Sequence, residues 1–289
     1  MLSILLAATL STAQPAAALP PPDADEQEVT VQAKRLKRQA VSSFVKSLSL
    51  PSDNLPLARF SETICPRAVG LTPALDLAIT RRMRRVAAGG GIAVAPSENC
   101  RPNALVMFAD DKAEMMRAFR RRYPVWFEDA VGQAAEIPNE KGPAIAWHNV
   151  GRRDRSGQAV AWNAEERRYE LVSPIVASRT SISMRPVFVA AVVIIERRAL
   201  EGLSATQVAD YAAMRAFTGA QPSRAAAGGA PTILGVLDSA PDSENPASLT
   251  AWDLGFLKGL YMVQPYARAN AQQATIREEV TRELEKPRE

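Results

Sequence analysis

Few side chains in this chain could carry acid–base chemistry. The 289 residues include a single histidine, His148, inside the apolar run 145–150. A pair of carboxylates, Asp110 and Asp111, follows the apolar stretch 104–108, a short buried strand by its pattern. If the fold brings the three together, they could support general acid–base hydrolysis. The alternative is structural, with Asp111 capping the next helix and His148 serving only in packing.

The standard nucleophile and phosphate motifs do not occur. The sequence contains no G-x-S-x-G, no G-x-x-x-x-G-K-[ST] and no G-x-G-x-x-G. The net charge is only +4, and the basic runs 81–85 and 120–122 sit on helical patterns whose opposite face is apolar. Such runs are typical of solvated helix faces, so nucleic acid is not an expected partner.

Export is indicated by the first residues and by the cysteines. Residues 2–10 form a short apolar run followed by small residues, which predicts a signal peptide over 1–18 cleaved after residue 13 or 18. That run is too short for a membrane span of about 20 residues. Cys65 and Cys100 are the only cysteines. In a periplasmic or secreted protein they would form one disulfide, whereas in the cytosol they would be two buried thiols.

Residues 19–51 read as a proline-rich and extended linker. Within it, residues 28–35 resemble the TonB box of outer-membrane receptors, a segment that adds a strand to a partner's sheet edge. An ordinary edge strand or a flexible lead-in is the alternative. The resemblance implies an envelope protein as partner.

The elements that position these groups form one α+β domain over residues 52–266, followed by a C-terminal helix over 267–289. Its opening pattern is β-α-β-α, with Cys65 before the first helix and Cys100 before the next strand. Nine apolar residues at 187–195 predict a central strand covered on both faces. A capping box formed by Ser204 and Gln207 then begins a helix that continues to about residue 217.

That strand–helix pair resembles the active-site region of metzincin zinc peptidases. Residues 208–218 keep the flanking pattern of V-A-x-H-E-x-G-H-A-L-G, and residues 249–261 are similar to the closing helix L-x-x-x-D-x-x-x-L-x-x-L-Y. The outline is also similar to secreted bacterial proteins that lack the zinc motif. The resemblance implies a mixed β-sheet with packed helices in a metzincin-like topology.

The resemblance also implies that the zinc chemistry is absent. The positions of the H-E-x-x-H core hold Tyr211, Ala212 and Arg215, and a metzincin zinc needs three histidines where this chain has one. Ala212 cannot act as a base, and Arg215 would repel a cation. We therefore expect no zinc, no cofactor and no catalytic residue here. Positions 208, 211, 212 and 215 share one face of this helix, so we predict that Arg215 lies inside the protein. A buried Arg215 needs a carboxylate partner, for which Asp210 and Asp253 are candidates.

Three functions remain open at this stage. The first is an exported, non-catalytic binding or scaffolding protein with a degenerate peptidase-like core. The second is a periplasmic hydrolase that uses His148 and carboxylates instead of zinc. The third is an envelope protein that engages its partner through residues 28–35. The sequence identifies no ligand.

Overall fold

The structure is a computed structural model with a mixed α/β fold. It describes residues 24–49, 55–127, 140–163, 165–166, 168–170, 182–238 and 245–287. The predicted signal peptide therefore lies outside the described residues. The chain divides into two compact units, residues 1–37 and 38–289. Every site discussed below lies in the second unit.

The segment before the predicted domain is helical, which corrects the expected extended linker. Helix α1 spans Ala24–Leu48 and includes residues 28–35, so the extended conformation expected for them is wrong, while their proposed role in partner binding stays a prediction. Residues 32–36 lie exposed on this helix. The spacing of Val41, Phe44, Val45 and Leu48 is helical, and all four are buried, so burial of this stripe favours the helix. The larger compact unit accordingly begins at Arg38 and not near residue 52.

Five of the seven described strands form one sheet around the long strand β7, and the other two form a separate pair. The strands in chain order are β1 (Arg59–Phe60), β2 (Pro66–Val69), β3 (Ala104–Ala109), β4 (Ala144–Asp154), β5 (Ala161–Asn163), β6 (Arg168–Glu170) and β7 (Met184–Glu196). Strands β1 and β3 pair with β7 in parallel, β2 pairs with β3 in parallel, and β4 pairs with β7 antiparallel. Strands β5 and β6 form a separate hairpin.

Both faces of β7 are covered over residues 191–195, as the apolar run predicts, although Val189 is 45% exposed. Val193 and Ile195 belong to the large core beneath the helices, whereas Val192 and Ile194 belong to a smaller cluster on the other face. The helices after α1 are α2 (Pro73–Gly89), α3 (Lys112–Arg122), α4 (Ala205–Thr218), α5 (Pro222–Ala227), α6 (Ala251–Met262) and α7 (Ala269–Glu285). Among the described helices, none is long and apolar enough to cross a membrane.

The C-terminal helix is part of the main core, which corrects its separation from the domain. A Cβ atom added at Gly255 would lie 2.6 Å from the Cα of Val280, and one added at Gly259 would lie 2.8 Å from the Cα of Ile276. Helices α6 and α7 can therefore pack this closely only because α6 carries glycine at both positions. Ile276 and Val280 are fully buried in consequence.

The two cysteines lie at disulfide-bonding distance, in agreement with the sequence prediction. Cys65 directly precedes β2 and Cys100 precedes β3, with their Cα atoms 6.0 Å apart. The bond joins the entries of two neighbouring parallel strands, so it holds the start of the β2–α2–β3 unit together.

Candidate functional site

The acid–base residues suggested by the sequence do not meet. Asp110 is exposed and pairs with Arg197 at 2.7 Å. Asp111 caps α3 by accepting hydrogen bonds from the backbone N–H groups of Glu114 and Ala113, and these bonds lower the pKa of its carboxyl.

His148 lies too far along the sheet to join this pair. It stands opposite Ala191 on β7, five residues from Glu196, which pairs with the end of β3. Five residues of strand span about 16 Å. Among the described residues, no group of three His, Cys, Asp or Glu side chains could hold a metal ion.

The helix that resembles the metzincin active-site helix is buried along most of its length. Helix α4 begins with the predicted capping box of Ser204 and Gln207, and every residue from Val208 to Thr218 is buried. The side chains of Tyr211 and Arg215 are each only 1% exposed. The prediction that Arg215 lies inside the protein is confirmed.

Arg215 forms an ion pair inside the fold, although not with either predicted partner. Its Nη2 donates to Oε1 of Glu140 at 2.5 Å, and its Nη1 donates to the hydroxyl of Tyr211 at 2.9 Å. The Nε atom is buried and has no hydrogen-bond acceptor in the described part of the chain. The position that the metzincin resemblance would assign to the second histidine of H-E-x-x-H thus holds a guanidinium bound on two sides.

Asp210 and Asp253 were the wrong partners because each serves another contact. Asp210 is five residues from Arg215, which places it on a different side of the helix. It accepts two hydrogen bonds from Arg82, at 2.7 and 2.8 Å, and one from the backbone of Leu249 at 2.9 Å. Asp253 caps its own helix and accepts from Thr232; burial raises its pKa despite these bonds.

The charge on Arg215 is maintained despite burial. Burial alone disfavours the charged guanidinium, but the carboxylate of Glu140 and the hydrogen bonds to Tyr211 and Glu140 outweigh it, so the pKa of Arg215 is raised. Burial also raises the pKa of Tyr211 to about 12, against the opposing effect of Arg215, so its hydroxyl stays protonated at neutral pH. Ala212, which the resemblance would align with the metzincin base, is fully buried, and its side chain carries no polar atom.

His148 lies beside this ion pair and is kept neutral. Its Nε2 atom is 3.0 Å from the carbonyl oxygen of Ala216, and its ring stacks on Phe188 with centroids 4.1 Å apart. A carbonyl can only accept, so Nε2 carries the hydrogen. Burial lowers the pKa of His148 to about 4, aided by the positive charge of Arg215 and opposed by the bond to Ala216. The histidine therefore acts as a packed hydrogen-bond donor.

Glu140 is the member of the cluster that the sequence did not reveal. It lies before β4 and contributes its carboxylate across 75 positions of sequence. Its own carbonyl accepts from Nζ of Lys112 at 2.7 Å, and Lys112 also donates to the carbonyl of Gly142. No local motif marks Glu140, because only the return of the chain into β4 places it over α4.

The cluster of Glu140, His148, Tyr211 and Arg215 offers acid–base groups that are all committed to one another or to the backbone. Tyr211 and Arg215 are fully buried, whereas His148 is half-buried and the side chain of Glu140 is 16% exposed. Comparison with models of known protein families found no match, and searches among curated proteins and solved structures likewise found none.

Proposed function

We propose that this chain is an exported, non-catalytic binding or scaffolding protein whose core is a degenerate metzincin-like fold. The observation that carries the proposal is the buried Arg215–Glu140 ion pair, and the metzincin resemblance would assign Arg215 to a zinc-ligand position. A positive charge fixed there opposes cation binding, and no base stands at Ala212.

Kinship with metzincins is supported by the order of the elements. Strand β7 leads through a short 3₁₀ turn to α4, and α6 follows as the closing helix. The antiparallel strand β4 lies beside β7 and contributes His148 to the contact with α4. Export to the periplasm or the exterior is supported by the Cys65–Cys100 pair, since disulfides persist in oxidising compartments.

The two alternative functions receive less support. The hydrolase would need Asp110 or Asp111 near His148, and these groups lie at different places on the sheet. The TonB-box hypothesis requires an extended segment at residues 28–35, where α1 is helical. Neither the hydrolase nor the TonB-box hypothesis is therefore favoured over a binding function.

Turnover assays test the proposal directly. The purified mature chain would be incubated with casein and with chromogenic ester and peptide substrates, alongside the variants His148→Ala and Arg81→Ala. We expect no turnover above the buffer rate for any of them. Turnover that is lost in His148→Ala but kept in Arg81→Ala, which changes only an exposed ion pair, would contradict a non-catalytic role.

A further inference from the structure

An apolar cavity lies at the far end of the sheet from Asp110 and Asp111. Its volume is about 230 Å³, and it is bounded by the end of α1, the approach to β1, the start of β7 and helix α6. Its walls are mostly hydrophobic, with Leu57, Phe188, Phe256 and Leu260 among them. At about 30 Å³ for each water-sized group, this space holds about seven or eight such groups.

The polar side chains of the cavity differ in whether they are already satisfied. The hydroxyl of Ser49 donates to the carbonyl of Val45 at 2.7 Å, and that of Thr218 donates to the carbonyl of Met214 at 2.5 Å. Arg152 is the cation among the lining residues. Its guanidinium lies 4.6 Å from the ring centroid of Tyr169, and the described part of the chain provides it with no carboxylate partner.

Strand pairing explains why Arg152 faces this cavity while its neighbour does not. Arg152 pairs with Pro186 and Arg153 with Arg185 across the β4–β7 ladder, so the two arginines of β4 point to opposite faces. Pro186 also lines the cavity, whereas Arg153 forms an ion pair with Glu62. Arg152 therefore faces the cavity without a carboxylate partner among the described residues, whereas Arg153 faces the opposite side of the sheet and is paired with Glu62.

The surroundings of this strand end are electropositive. Arg59 on β1 is only 6% exposed, and its Nη2 donates to the carbonyl of Val263 at 2.8 Å. Burial lowers the pKa of Arg59 to about 10, and the nearby charge of Arg185 lowers it further. Like Arg152, neither Arg59 nor Arg185 has a carboxylate partner among the described residues. A buried carboxylate, that of Asp154, also lies at this end of β4, and the excess of three arginines over this one carboxylate favours an anion here.

We infer that the cavity binds a small amphipathic carboxylic acid, with its aliphatic tail among the apolar walls and its carboxylate on Arg152. The inference deepens the proposed binding function by naming the ligand class. An apolar tail of six to eight carbons suits the available space, and a guanidinium is the preferred bidentate partner of a carboxylate. The carboxylate would supply the counter-charge that Arg152 lacks in the chain itself.

Titration calorimetry with octanoate tests this assignment, with octan-1-ol as the uncharged analogue and octylamine as the oppositely charged one. We expect octanoate to bind at one site per chain and at least about tenfold more tightly than octan-1-ol, because a charge-assisted hydrogen bond is lost in the alcohol. Octylamine should not bind measurably.

Three variants locate the site. Arg152→Ala should weaken octanoate binding by about tenfold or more, and Ala58→Phe should abolish it by filling the cavity, of which Ala58 forms part of the wall. Arg153→Ala is the matched control, because it removes the same charge from the next residue on the other face, and its affinity should stay within about twofold of the parent. Thermal unfolding of each variant confirms that it is folded.

The inference is overturned if octanoate does not bind, if octan-1-ol binds equally well, or if Arg153→Ala weakens binding as much as Arg152→Ala. These outcomes leave the turnover assays unaffected. Loss of octanoate binding therefore refutes the ligand assignment, whereas measured turnover refutes the non-catalytic function.

Discussion

Truncation of Glu140 should reveal how strongly the buried ion pair stabilises this fold. In Glu140→Ala, the guanidinium of Arg215 would remain in a site that is 1% exposed, with the Tyr211 hydroxyl as its remaining side-chain acceptor. Breaking a buried pair by removing one partner costs about 3–5 kcal/mol. The side chain of Glu140 is 16% exposed, so we expect the lower end of that range, about 3 kcal/mol.

The companion variants separate charge from packing. Glu140→Gln keeps an acceptor oxygen and should destabilise by about 1–2 kcal/mol, within the range for a hydrogen bond to a charged group. Arg215→Ala should destabilise by about 3–5 kcal/mol, because it leaves both an unpaired carboxylate and a cavity. The double variant should be more stable than the sum of the two alanine substitutions predicts, by at least about 1 kcal/mol.

Equilibrium urea unfolding at pH 7, followed by tryptophan fluorescence and far-ultraviolet circular dichroism, measures these free energies. Arg81→Ala serves as the control, because Arg81 and Glu98 form an exposed pair with side chains 54% and 43% accessible. Such a pair contributes at most about 1 kcal/mol. If Glu140→Ala and Arg215→Ala are within about 0.5 kcal/mol of the parent, or if their effects simply add, the buried pair does not stabilise the fold as argued.

Three further predictions concern other parts of the structure. The pKa of His148 is lowered to about 4 in the fold and is about 6.5 in the unfolded chain. The free energy of unfolding should therefore fall by up to about 3 kcal/mol as the pH drops from 6.5 to 4. In acid unfolding curves, His148→Phe should remove this part of the pH dependence. Reduction of the Cys65–Cys100 bond, which spans 35 positions, should lower the free energy of unfolding by about 3–4 kcal/mol. Two free thiols found by non-reducing mass spectrometry of exported material would contradict the bond. Gly259→Ala should destabilise the protein by about 1–3 kcal/mol in urea unfolding, because the added Cβ clashes with Ile276. Gly89→Ala is the control and should not destabilise the protein, because an added Cβ there meets no atom within 4 Å.

Local patterns in the sequence predicted the elements well. The nine apolar residues within β7 and the capping boxes of α4 and α6 mark these elements without reference to the rest of the chain. The helical spacing of α4 also placed Arg215 on a buried face, as the structure confirms. These features are local because periodicity and capping depend on residues within a few positions of one another.

Features that depend on distant residues could not be predicted in the same way. Glu140 meets Arg215 only because β4 pairs with β7, from Asp154–Met184 to Ala144–Ile195, and no short pattern encodes such a long-range contact. The helical state of α1 was missed because residues 28–35 alternate apolar and polar side chains over too few positions to separate strand from helix. The stripe that favours the helix begins only at Val41.

The zinc content of the purified protein tests the central claim most directly. The chain would be equilibrated with excess zinc, passed through a desalting column and analysed by inductively coupled plasma mass spectrometry. Because the Arg215–Glu140 ion pair lies where the metzincin resemblance would put the metal, we predict far less than one zinc per chain. One tightly held zinc per chain would contradict the proposal that an ion pair replaces the metal of a metzincin here.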